Sequence, residues 1–163
     1  MRRSACVRLG VAAVAAIALL GVAGCGGDDA DDPYAIPDEF QDYCEEVDEQ
    51  QAPLSAALAA GGRSSGLIEA LPIFETLAAK APEDIADDWE IVIERIHDLV
   101  DALDAAGVDP ASYDRRHPPA GLDQEQRDTI DAAAVALVSR TTGEAMIGVE
   151  QHARDVCKTQ LAP

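Results

Sequence analysis

Apolar residues recur with helical spacing along most of the chain. The clearest series is Ile85, Trp89, Val92, Ile96, Leu99, Leu103 and Ala106. Its intervals alternate between four and three, which puts one continuous stripe on a single helix face and marks a bundle seam. Ile93 and Val100 widen the stripe, as a helix touching more than one neighbour requires, and Gly107 with Pro110 supplies the stop. This helix is expected at the centre of the fold. Upstream, Phe40, Tyr43, Cys44 and Val47, then Leu54 and Leu58, describe a first helix, in which Pro53 either kinks the run or separates two shorter helices. Gly61-Gly62-Arg63-Ser64-Ser65-Gly66 reads as a flexible connection. Leu67, Leu71, Phe74, Leu77 and Ala78 form the apolar face of a second helix, with Pro72 leaving its start open. Pro82 suits the first turn of the central helix, where Glu83 and Asp84 complement the helix dipole.

Residues 108–121 contain three prolines and few core candidates, and read as a loop. Asp123 followed by Gln126 is a capping pattern for a further helix, with Ile130, Ala133, Ala134, Leu137 and Val138 facing inward. Thr141-Thr142-Gly143 breaks or bends it, and the last helix carries Met146, Val149, Ala153, Val156 and Cys157. No strand-like alternation of four or more residues competes with this pattern. The expected fold is an all-α bundle of four or five helices over residues 38–163.

The N-terminal region follows another rule. Arg2, Arg3 and Arg8 precede an apolar run from Leu9 to Ala23, with no acidic residue before Asp28, which is the layout of a secretory signal. The run is shorter than the roughly 20 residues a spanning helix needs. It closes on Leu20-Gly21-Val22-Ala23-Gly24-Cys25, which resembles the lipobox of bacterial lipoproteins. The resemblance implies cleavage before Cys25, a diacylglyceryl thioether on its sulfur, and attachment to a membrane on the extracytoplasmic face. Ser4, Ala5 and Cys6 lack the hydrophobic residues that usually follow a twin-arginine pair, which favours general secretion. Each buried methylene contributes about 0.8 kcal/mol, so two or more acyl chains hold a protein firmly. Residues 1–24 are thus expected to be the signal and residues 25–37, with four aspartates before Pro33, a solvated acidic tether. The plan as a whole resembles small helical lipoproteins of high-GC Gram-positive bacteria, a likeness that implies no activity.

With Cys6 removed and Cys25 acylated, Cys44 and Cys157 remain. An even pair outside the cytosol suggests a disulfide that draws the ends of the first and last helices together in antiparallel packing. Two separate buried thiols are the alternative. Loss of Arg2, Arg3 and Arg8 takes the formal charge from -19 to -22. That field repels nucleic acid, whose binding draws on Lys and Arg.

The search for chemistry returns little. Glu94 and His97 have the spacing of half a di-iron site, but no second copy exists and both fall outside the seam. His117 lies in the proline-rich loop and His152 in the last helix, without the i, i+4 pairing of a zinc motif, so no metal or cofactor is expected. No nucleophile elbow occurs. Arg115-Arg116-His117 is the one locally basic stretch, read either as a partner contact or as charge that meets the protein's own carboxylates. Trp89 reads as a core anchor. The chain is therefore expected to be a tethered, non-enzymatic module that binds a protein or another envelope component. Two rivals stand beside it: a carrier of a small apolar ligand or haem near Phe74, Trp89 and Met146, and an envelope enzyme whose site no local spacing discloses.

Overall fold

The structure is a computed structural model describing residues 35–114 and 116–162, apart from the side chains of residues 62–64. The expected signal, Cys25 and nearly all of the tether lie outside the described residues, as does Arg115. Every regular element among the described residues is helical: α1 (Gln41–Ala78), α2 (Glu83–Ala105), α3 (Gln124–Leu137) and α4 (Arg140–Asp155), with short 3-10 turns at Asp38–Phe40 and Pro110–Ser112.

A straight helix as long as α1, at about 1.5 Å per residue, would hold Glu46 and Lys80 roughly 50 Å apart. Their side chains instead form an ion pair at 2.5 Å. Leu54 and Leu58 likewise line one cleft together with Leu67 and Phe74. The helix therefore doubles back on itself between Leu58 and Leu67. Gly66 makes this possible, because a Cβ there would lie only 2.7 Å from the Leu58 carbonyl oxygen. The two helices expected from the apolar pattern are thus the two limbs of α1, but the glycine-rich connection between them is helical rather than irregular. Pro53 and Pro72 lie inside the limbs and end neither.

α2 buries Ile85, Trp89, Val92, Ile96, Leu99 and Leu103, six of the seven seam positions. It touches α1, α3 and α4, which makes it the central helix. Gly107, at φ 70°, closes it, and the Val108 N–H donates to the Leu103 carbonyl at 2.9 Å. The expected capping box opens α3: the Gln126 N–H donates to Asp123 Oδ1 at 2.8 Å, and the Asp123 N–H to Gln126 Oε1 at 3.0 Å.

One expectation about the C-terminal half needs correction. The break between the last helices comes at Val138 and Ser139 rather than at Thr141–Gly143, because the Ser139 hydroxyl accepts from the Thr142 N–H and caps α4. Val138 consequently leaves the inward face and is 72% exposed. The expected loop of residues 108–121 contributes two core residues, Val108 and Tyr113, which with Leu122 just beyond it are buried against Leu99, Leu103, Ile130 and Ala134.

Cys44 and Cys157 form a disulfide with Cα atoms 5.0 Å apart. The first limb of α1 runs antiparallel to α4, as expected from that pairing. Tyr43 meets His152 near the disulfide, and Leu54 and Leu58 share a cleft with Met146 farther along. Beyond Cys157 the chain turns at Lys158, φ 59°, and returns beside the first limb. Gln51 holds this tail by donating to Thr159 Oγ1 and to the Gln160 carbonyl, at 3.1 and 2.6 Å, and Leu161 is buried.

Candidate functional site

Two places concentrate chemistry. The first is a polar centre near the disulfide. Trp89 on α2 donates its indole N–H to the Tyr43 hydroxyl at 3.1 Å. Burial drives the Tyr43 phenol up to about 12, with the nearby Asp84 carboxylate adding to the rise and the Trp89 bond opposing it. His152 on α4 sits edge-on to the Phe40 and Tyr43 rings, at centroid distances of 5.4 and 5.6 Å. Its Nδ1 lies 3.4 Å from Asp84 Oδ2, while its buried Nε2 has no hydrogen-bond partner among the described residues. A general base must come within hydrogen-bond reach of the proton it takes. Here the free nitrogen is sealed away from solvent, so the pair ties α2 to α4 without facing an open cleft. One helical turn on, Gly148 leaves room for the Asp88 carboxylate, which partial burial shifts upward, with Asp87 a further cause.

The second place is a pair of apolar clefts on the side of α4 facing α1. One, of about 140 Å³, lies among Leu54, Leu58, Phe74, Leu161 and Ala162. The other, of about 220 Å³, lies among Val92, Leu137, Val138, Ser139 and Thr142. Leu67 and Met146 line both and form the partition between them. Helical rise places Leu58 about 20 Å along the first limb from Cys44, so the clefts lie toward the end of the domain remote from the disulfide. Exposed Val138 stands at the mouth of the larger one. A wider groove beside the disulfide, of about 450 Å³, is lined by Ile36, Cys44, Cys157, Glu45, Asp48 and Lys158 and is more polar than either cleft.

The residues singled out from the sequence fall in different places. Phe74 and Met146 line the clefts, whereas Trp89 is wholly buried behind Phe74, ring centroids 5.5 Å apart. His97 Nε2 pairs with Glu75 Oε1 at 2.8 Å, joining α2 to α1. Among the described residues, no group of three or more His, Cys, Asp or Glu is arranged to hold a metal. In the basic stretch, Asp114 accepts from the Arg116 N–H at 2.9 Å and contacts His117 Nδ1 at 2.8 Å. The His117 contact, then the Arg116 N–H, hold that carboxyl below its ordinary range. Both Arg116 and His117 remain exposed, and neither lines the clefts. Leu161 and Ala162 are invisible to periodicity, being isolated apolar residues beyond the last helix. Ser139 and Val138 are hidden in the sequence because the Thr141–Gly143 run carries the stronger break signal.

No family model matches the chain, and no curated protein or solved structure matches it.

Proposed function

We propose that the chain is a lipoprotein held by lipid on Cys25 to the extracytoplasmic face of a membrane, with its helical domain acting as a non-catalytic binding module. The observation that carries the binding role is the pair of apolar clefts meeting at Leu67 and Met146. Small-ligand sites are concave and mostly apolar with a few polar groups at fixed positions, and these clefts have that character. The anchoring rests on the residues Leu20–Cys25. A disulfide between Cys44 and Cys157 is in keeping with an oxidising compartment. Among the described residues, no helix is long and apolar enough to cross a membrane, and the lipid is the proposed attachment.

Of the possible occupants, a small apolar component of the envelope suits the dimensions better than a protein surface. Haem suits them poorly, since no histidine lines either cleft among the described residues. The acidity of the domain weighs against nucleic acid.

Intact-mass analysis of the protein isolated from its own membranes tests the reading. The expected mass starts at Cys25, carries acyl chains and includes one disulfide. A polypeptide that begins at Met1, or one without fatty acyl mass, would sink the anchoring, and an extract free of any co-purifying apolar molecule would count against the binding role.

A further inference from the structure

We infer that the exposed ridge of α4 around Gly143 is a contact between two copies of this chain, packed antiparallel about a two-fold axis so that Ile147 of each copy meets Val138 of the other. The contact goes beyond the ligand reading and needs no occupant in the clefts.

The starting observation is a glycine without an internal use. Gly148, also on α4, has one, because a Cβ there would strike the Asp88 carboxylate. At Gly143 an added Cβ meets nothing within 4 Å, and the residue lies inside the helix. An alanine would fit and would favour the helix. What the bare position supplies is a flat spot where a second helix can come close, since the side chains at the contact set the spacing of packed helices. Apolar side chains stand on either side of it. Val138 is 72% and Ile147 58% exposed, two of the three large apolar side chains left exposed among the described residues. Ile147 follows Gly143 by one turn on the same face. Val138 lies beside Gly143 and Met146. Single exposed aliphatics are ordinary, but a contiguous apolar patch marks an interaction surface.

Pattern and charge select a second copy as the occupant. In an antiparallel crossing centred on Gly143, a residue one turn after it faces a residue about one turn before it on the other chain. Ile147 thus faces Val138 and Ser139, and the reciprocal contact forms by symmetry, as an isologous interface requires. Arg140 and Glu144 straddle Gly143 and pair within the chain at the surface, Nε to Oε1 at 2.8 Å. Across the axis, Glu144 of one copy falls near Arg140 and the N-terminus of α4 in the other, where the helix dipole favours a carboxylate. Residues 138–147 hold one Arg and one Glu, and so carry no formal charge in a chain of net charge -19. Two such acidic bodies meet at least cost on that neutral ridge, whereas a cationic partner would be drawn to the acidic remainder of the surface.

One pair of crossing helices buries less than the roughly 1,200 Å² of a standard interface, which makes the contact a weak, transient one. The lipid anchor proposed above confines the copies to one surface and raises their effective concentration. Val138 stands at the mouth of the larger cleft, so Ile147 of the second copy roofs it.

The test uses the protein as isolated from its own membranes, reconstituted in phosphatidylcholine vesicles, with p-benzoylphenylalanine in place of Ile147 and, in a second preparation, of Val138. Illumination should give a dimer-sized product, with the cross-link from position 147 mapping to residues 138–143 of the other copy and that from position 138 mapping near Ile147. Mixing isotope-labelled with unlabelled chains identifies the product as intermolecular. Gly143→Ala should raise the urea midpoint yet lower the cross-linking yield by roughly fivefold or more. Salt at about 1 M, where the screening length falls to about 3 Å, should increase the yield, because repulsion between two acidic bodies outweighs one exposed set of ion pairs. No product from either position, cross-links scattered outside residues 138–147, a yield unchanged by Gly143→Ala, or a yield that falls with salt would overturn the contact. Each of these results leaves the cleft reading standing, since co-purification of an apolar molecule tests that separately.

Discussion

Tyr43 has room for a phenol and none for a phenolate. Its side chain is 1% exposed, its oxygen accepts the Trp89 N–H, and Asp84 lies close enough to oppose a second negative charge. The folded protein therefore holds this proton more tightly than the unfolded chain does. Stability from this group is fully present below the ordinary value of 10.0 and is lost as pH rises through about 12. The loss amounts to roughly 2–3 kcal/mol, because each tenfold gain in proton affinity on folding is worth about 1.4 kcal/mol. Urea unfolding followed across that range should show the decline in the wild type and a flatter profile in Tyr43→Phe. The same variant should be about 1–2 kcal/mol less stable at neutral pH, because the Trp89 N–H is left buried without an acceptor. Identical alkaline profiles would refute this account.

At the scale of elements, the return of α1 is the feature on which the clefts depend. A methyl group at position 66 cannot occupy the space beside the Leu58 carbonyl. Gly66→Ala is therefore expected to destabilise by about 2 kcal/mol or more, whereas the same exchange in an unstrained helix interior stabilises by about 1 kcal/mol. Urea midpoints of the two proteins decide the sign, and a stabilised variant would mean that the limbs are not so closely apposed. The Glu46–Lys80 pair clasps the open ends of the limbs. Its lysine bond, then that from Gln50, hold the Glu46 carboxyl below its ordinary 4.5. Its contribution is thus present above that value and disappears as pH falls through the lower, folded one. Lys80→Met should be less stable than the wild type at about pH 7, and the gap should narrow as pH falls below the ordinary carboxylate range and through the lower, folded value. An unchanged gap would show the pair to be without effect.

Much at this scale could be read from residue spacing alone. The α2 seam has a strict period, and the Asp123–Gln126 box is local chemistry that needs no tertiary information. The spacing failed where tertiary context decides. Gly61–Gly66 carries every mark of a loop, yet helical hydrogen bonding continues through the reversal. Val108, Tyr113 and Leu122 are too far apart to form a period, and only the fold shows that they share one cluster. Of the site, Phe74 and Met146 were legible as apolar bulk near a possible ligand. The cleft they line was not, since it arises from three separated segments and a tail without periodicity.

For the whole molecule, the Cys44–Cys157 bond closes a loop spanning 113 residues. Cross-links of that span restrict the unfolded chain by roughly 4–5 kcal/mol on the chain-entropy model, an upper figure where native geometry resists. The double variant Cys44→Ser/Cys157→Ser should lose much of that stability in urea while keeping its helical circular dichroism at low temperature. A change under about 1 kcal/mol would mean that the unfolded chain is already compact across this span. Loosening should also be uneven. Tail residues 159–162 follow Cys157 after the single turn residue Lys158, so hydrogen exchange should quicken there before it does in α2.

Because those tail residues travel along α1 toward Leu58, any polypeptide appended downstream of Ala162 begins its course at the rim of the inner cleft. Affinity tags and reporter fusions placed there would crowd the opening and mimic weak binding. A label introduced at exposed Ala132 on α3, a residue that lines neither cleft, would leave the passage clear for assay.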